Sequence, residues 1–315
     1  MVLLTAGVSY QLITRRNDAV RFPQEGRSVD VGGYKLNINC KGQGSPTVVL
    51  EAGLGVPAIS WRAVQAGVAK FTRVCSYDRA GYDWSDPGPM PRTTAQNVKE
   101  LHTLLQNAGE KPPYVMVGHS FGGTEVRIYS SRYFGEVEGL ILVDPGHEDL
   151  KFPDDIQKMA DAELRRRQRD KEWGPLLYWF GVNRLISSSQ IDRLAPSDPE
   201  PELRYFVIQP KFIAAASSES ENLKEGRDEL RRAGTLGDKP LIILIAGDSQ
   251  LDLPVSPEER AEINFSWIEA EKRLASLSSR GKWVMLPDAG HMVPFEHPDG
   301  IIKAARELCL GTPTS

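Results

Sequence analysis

The sequence predicts an α/β fold, a mainly parallel β-sheet flanked by helices, and three observations carry that prediction. Short apolar runs bounded by Gly, Pro and Asp alternate with longer amphipathic stretches, the pattern of parallel strands joined by crossover helices. With 315 residues, 40% hydrophobic and 25% charged, the chain can bury a large core. The rhythm breaks once, from about Asp149 to Gly237, which reads as a helical insertion into an otherwise continuous core.

Taken in order, the chain opens on "MVLLTAGVSYQLITRR", apolar but short of the roughly 20 residues that span a bilayer, with no basic segment before it. Residues 1–24 are therefore expected to be a loose amphipathic arm or the trailing part of a membrane anchor. "GRSVDVGG" and "YKLNINCKG" alternate in polarity and meet at Gly32 and Gly33, which predicts a hairpin. Six β-rich runs follow, "TVVLEAG", "RVCSYDRAG", "YVMVGHS", "GLILVDPG", "PLIILIAGD" and "KWVMLPDAGH", and they suit buried central strands. Between the fourth and fifth strands, Val98, Leu101, Leu105 and Ala108 lie at helical spacing with Gly109 placed to stop the helix. Residues 25–150 and 236–315 make the core, and 151–235 a helical cap. In the cap, "RRRQRD" (165–170) reads as the solvated face of a helix. The aromatic patch from Trp173 to Ile186 reads first as packing of cap on sheet, then as a substrate-lining lid, then as a membrane-contacting face.

A formal net charge of −4 provides no electrostatic footprint for nucleic acid, so no nucleic-acid partner is expected. Cys40, Cys75 and Cys309 lack metal-ligand spacing, so a zinc site is not expected.

Gly118-His119-Ser120-Phe121-Gly122 fits G-x-S-x-G, with a strand before it and a helical pattern after it. A sharp strand-to-helix turn leaves no room for side chains at the flanking positions, and it exposes the serine hydroxyl at a helix N-terminus. A hydroxyl needs a base, and five histidines are available: His102, His119, His147, His291 and His297. His291 follows the last strand and a small-residue turn, which puts it on the sheet edge that bears Ser120, so it is the expected base. Two backbone N–H donors should stabilise an oxyanion: Phe121, after the nucleophile, and Leu54, in the loop after the third strand between Gly53 and Gly55.

The runs "PTVVLEAGLG", "RVCSYDRAGYDWSDPGP", "PYVMVGHSFGG", "GLILVDPGHED" and "DAGHMVPFEHP" together resemble the α/β-hydrolase superfamily, in particular its bacterial serine esterase and lipase members. The resemblance covers about residues 25–150 and 236–315. It implies an eight-stranded mainly parallel sheet with an antiparallel second strand, a cap after the sixth, and the chain order Ser, acid, His. In the turn "YDRAGYDWSD", Asp83 stands where a third glycine is common, and Asp78 and Arg79 read as structural.

The acid is where the sequence departs from the family's commonest pattern. Its usual position, three residues past the glycine ending the seventh strand, holds Gln250, with Asp248 and Asp252 on either side. Asp144, at the end of the sixth strand, is the substitute that some superfamily members use, and it is the first choice here, with Asp248 and Asp252 as alternatives. The implied strand order also makes the strands of Cys40 and Cys75 neighbours, so these thiols either pair in an exported protein or stay free in a cytosolic one. The resemblance implies a cofactor-free serine hydrolase acting on a small-molecule carboxylic ester through an acyl-enzyme. Alternatives are carbon–carbon bond hydrolysis of a β-diketone-type substrate and a non-catalytic ligand receptor.

Overall fold

The structure, a computed structural model, describes residues 2–148, 162, 173–186, 201–249 and 256–311. Strands β1 (Arg27–Asp30), β2 (Lys35–Lys41), β3 (Thr47–Glu51), β4 (Val74–Tyr77), β5 (Tyr114–His119), β6 (Val137–Val143), β7 (Leu241–Ala246) and β8 (Gly281–Leu286) form one sheet. Their order is β1-β2-β4-β3-β5-β6-β7-β8, and only β2 runs antiparallel to its neighbours. This is an α/β-hydrolase fold.

Period-2 alternation sends successive side chains of each central strand to opposite faces, and both faces are buried. From β7, Leu241, Ile243 and Ile245 enter one core with Val98, Leu101, Leu104 and Leu105 of α3 (Thr94–Asn107) and Val126, Ile128 and Tyr129 of α4 (Phe121–Arg132). Ile242, Leu244 and Ala246 enter the other, with Trp61, Val64 and Val68 and with Ile301, Ala304 and Ala305. Two cores therefore clamp a rigid sheet, and the loops at the C-terminal strand ends are held from both sides.

In chain order, α1 (Val2–Arg21) precedes the sheet and α2 (Arg62–Val68) links β3 to β4. The thread between β6 and β7 is helical where it is described: residues 173–179, α5 (Val182–Ile186), α6 (Pro201–Val207), α7 (Pro210–Glu221) and α8 (Leu223–Leu230). After β7 come α9 (Pro257–Leu274), begun by a Ser256–Glu259 capping box, α10 (Val293–Glu296) and α11 (Pro298–Leu310). The basic run 165–170 lies outside the described residues. Among those described, no helix is long and apolar enough to cross a membrane.

Cys40 and Cys75 are register partners on β2 and β4 and are joined in a disulfide, with Cα atoms 4.1 Å apart. Of the two states the sequence allowed, the paired one is present. Asp83 has φ 34°, so it takes the left-handed backbone that a glycine would hold more easily at this turn. Its carboxylate accepts the Ala58 amide at 3.1 Å, a local partner for a strained residue.

Candidate active site

Ser120 sits between β5 and α4 with φ 53° and ψ −118°, a strained conformation for a residue with a Cβ. The flanking glycines are demanded by backbone on backbone. A Cβ on Gly118 would lie 2.4 Å from the Gly122 carbonyl oxygen, and one on Gly122 would lie 2.5 Å from the Glu51 carbonyl oxygen. The strand end is pinned as well, since the Ser120 amide donates to the Val143 carbonyl of β6 at 3.0 Å.

His291, after β8, places Nε2 3.0 Å from Ser120 Oγ. Its Nδ1 lies 2.5 Å from Asp144 Oδ2. A carboxylate oxygen there selects the tautomer with hydrogen on Nδ1, which leaves the Nε2 lone pair facing the hydroxyl. Asp144 is fully buried at the end of β6, with φ 42°. Its Oδ1 also accepts the Ala246 amide at 3.1 Å, and the Ser249 hydroxyl lies 2.9 Å from both carboxyl oxygens. Ser249 is held in turn by Asn264 of α9, which accepts the Ser249 amide at 3.1 Å and donates to the Gly247 carbonyl at 2.8 Å. The loop after β7, where the family usually carries its acid, here supplies hydrogen-bond donors to an acid from the neighbouring strand.

Of the alternative acids, Asp248 lies in that loop with its amide donating to the Ala289 carbonyl at 3.0 Å, and Asp252 lies outside the described residues. A further carboxyl, Glu271 of α9, is buried beside Asp144. Burial, and then the charge of Asp144, push it well above the usual carboxylate range, which disfavours a second negative charge beside Asp144.

The other histidines take different places. His102 pairs with Glu136 at 3.0 Å and stacks on Tyr133, while His297 is the N-cap residue of α11. His119, the last residue of β5, is buried, and desolvation lowers its pKa to about 3. Its Nε2 lies 2.7 Å from the His291 carbonyl oxygen, which can only accept, so that nitrogen carries the hydrogen. His119 thus ties the histidine loop to the serine turn.

For an oxyanion, the Phe121 amide stands at the first position of α4, where no intrahelical acceptor exists. The loop bearing Leu54 packs directly on this turn: a Cβ on Gly53 would lie 3.0 Å from His119 Nδ1 and 3.4 Å from Ser120 Cβ. That loop is held on both sides of Leu54. Arg79 donates to the carbonyls of Ala52 at 2.7 Å and Gly53 at 2.8 Å, and the Tyr82 hydroxyl accepts the Gly55 amide at 3.1 Å. Both side chains converge on Glu219 of α7, which accepts from Arg79 Nε at 2.9 Å and from the Tyr82 hydroxyl at 2.6 Å. Glu51 and Glu125 complete the cluster around Arg79, and burial raises the pKa of both carboxyls, so the guanidinium does not face three full negative charges.

Sequence reasoning passed over Ser249, Asn264 and Glu219 as parts of this site, and weighed His119 only as a base. Only His119 had a local signal, its place inside the pentapeptide; the others reach the site through chain separations that no motif spans.

The chain was compared with known proteins. Residues 48–304 match the family model described as "Alpha/beta hydrolase family". The uncharacterized protein YqjL of Bacillus subtilis is 23% identical over 262 residues, 82% of this chain and 81% of its own length. Among solved structures, the epoxide hydrolase CorEH superposes with a TM-score of 0.68 at 17% identity, covering 90% of this chain and 97% of that one. A thermophilic esterase from Thermogutta terrifontis superposes with a TM-score of 0.64 at 21% identity, covering 90% and 97%. At such identities the likeness to the solved structures speaks for the fold alone.

Proposed function

Since the chain belongs to the alpha/beta hydrolase family, we propose that it is a serine hydrolase that cleaves small-molecule carboxylic esters through an acyl-enzyme. One observation carries this reading: the unbroken line from Ser120 Oγ to His291 Nε2 at 3.0 Å and from His291 Nδ1 to Asp144 at 2.5 Å.

In this reading Ser120 Oγ attacks the ester carbonyl as His291 Nε2 takes its proton. The oxygen gains negative charge and is met by the amides of Phe121 and Leu54, each worth about a hundredfold to a thousandfold in rate. His291 returns the proton to the leaving alcohol, water adds to the acyl-enzyme through the same base, and the acid is released. Asp144 holds the imidazole tautomer and stabilises the imidazolium. No step calls on a metal or cofactor. The β6–β7 segment acts as a cap over the strand ends. The Cys40–Cys75 bond supports an oxidising compartment as the place of work.

The experiment is labelling with a fluorophosphonate together with turnover of a short p-nitrophenyl ester. The wild-type chain should be labelled and active, and Ser120→Ala should lose both while keeping its melting temperature. Labelling that persists in Ser120→Ala would remove the nucleophile assignment. A labelled wild-type protein that ignores esters and cleaves a dienone-type substrate would move the chemistry to carbon–carbon bond hydrolysis.

A further inference from the structure

Helix α1 is docked inside out. Its inner stripe is small and polar: Gly7, Gln11, Thr14 and Asp18, spaced three or four residues apart. Gln11 is fully buried and accepts from Arg184 Nε at 2.9 Å, and Asp18 pairs with Arg184 at 2.7 Å. Gly7 lies so close to the chain that a Cβ there would meet the Phe180 carbonyl oxygen at 2.7 Å. Among the described side chains, Ile13 is 63% and Val20 79% exposed, with Leu12 exposed beside them, while Val8 is half-buried. Helical residues 173–179, which α1 touches, add exposed Trp173, Leu176 and Trp179. Scattered exposed apolar residues are ordinary. A helix that turns Gln11 and Asp18 inward while Leu12, Ile13 and Val20 share the outer side with Ser9 and Arg16 is less so, and it presents a mixed apolar and basic surface.

Charge decides which medium. Helix α1 carries Arg15, Arg16 and Arg21 against one acid, Asp18, and that acid is turned inward onto Arg184. The outer side is thus cationic on a chain whose formal net charge is −4. The Arg15 guanidinium lies 5.9 Å from the ring centre of the exposed Trp179. A face that sets Leu12, Ile13 and Val20 among Arg15 and Arg16, with Trp179 at its flank, suits the interface of a membrane, where indoles sit at the headgroups and guanidiniums reach the phosphates. A second copy fits worse, because it would bring two surfaces of the same positive sign together, which an anionic bilayer does not.

We propose that the outer face of α1, with helical residues 173–179 at its flank, docks on the surface of a bilayer that carries anionic headgroups, α1 lying in the interface rather than crossing it. The same surface would hold the β6–β7 segment beside the membrane.

The test is co-sedimentation of the full 315-residue chain with vesicles of phosphatidylcholine alone and of phosphatidylcholine with about one-third phosphatidylglycerol, tracking tryptophan fluorescence. The protein should partition onto the anionic vesicles with a blue shift and leave them as salt rises. Ile13→Asp with Val20→Asp should lower partitioning by about tenfold or more. Arg15→Gln and Arg16→Gln should each lower it by about fivefold on the anionic vesicles alone. All these variants should keep the wild-type melting temperature, and Ser120→Ala should bind vesicles as wild type does, so the result is independent of the hydrolase reading. Wild-type protein that stays in the supernatant with both vesicles overturns the proposal. So does a concentration-dependent dimer abolished by Ile13→Asp with Val20→Asp, which would make the face a contact between copies.

Discussion

Three donors converge on Asp144, and they explain how a residue with φ 42° can hold a histidine. The Ala246 amide, the Ser249 hydroxyl and His291 Nδ1 all donate to it, which leaves its oxygens little freedom to turn. Glu271 is close, but burial pushes its carboxyl well above the usual carboxylate range, which makes it a poor substitute as a negative partner for the imidazolium. Asp144→Asn should therefore lower kcat by up to about ten thousandfold, because an amide can donate to Nδ1 and stabilise the wrong tautomer. Asp248→Asn should stay within about threefold of wild type, since both ring nitrogens of His291 are taken, Nδ1 by Asp144 and Nε2 by Ser120. Steady-state kinetics of both variants decide the matter: a folded Asp144→Asn with near-full activity would mean that another carboxylate does this work.

At the scale of elements, the disulfide fastens the sheet edge where its hydrogen bonding changes direction. Strand β2 is antiparallel to β4 and β3 is parallel to it, so β4 joins the hairpin to the parallel body of the sheet. The Cys40–Cys75 bond closes a loop with a sequence separation of 35, which restricts the unfolded chain by about 3–4 kcal/mol. Replacing both cysteines by alanine should shift the denaturant midpoint down by a corresponding amount and leave ester turnover nearly intact, since neither residue approaches Ser120. An unchanged midpoint would show that the β2–β4 hydrogen bonds hold that edge unaided.

Across the whole molecule, Glu219 ties a helix of the β6–β7 segment to the loop after β3. It does so through two side chains, Arg79 and Tyr82, that grip the backbone on either side of Leu54. Glu219→Gln keeps the shape but removes the charge and one acceptor from the grip. The expected result is a fall in kcat of about tenfold to a hundredfold with KM changed less than about threefold, because an oxyanion donor is displaced while ground-state binding is not. A variant that loses only melting temperature would reduce Glu219 to a structural anchor. Much of this architecture was legible in advance. Each strand run could be read because a strand buried on both faces must be apolar throughout, and Gly118 and Gly122 stood out because backbone approaches their Cα atoms too closely for any side chain. Ser120 belongs to that turn, and His291 follows the last strand, so both were named from local pattern. The carboxylate facing His291 was not decided locally: Asp144, Asp248 and Asp252 are similar in sequence terms. What separates Asp144 is that β6 lies beside β5 and that Ser249 and Ala246 of the next strand's end turn their donors onto it. Pairing of Cys40 with Cys75 likewise depended on the register of two strands, and the outward turn of Ile13 and Val20 on where Arg184 stands. The sequence by itself determined the elements and the nucleophile turn, because those follow from periodicity and close backbone contact within a few residues. Only the tertiary structure decided which carboxylate faces His291, the disulfide and which residues of α1 are turned outward, because each depends on which distant groups arrive at the same place.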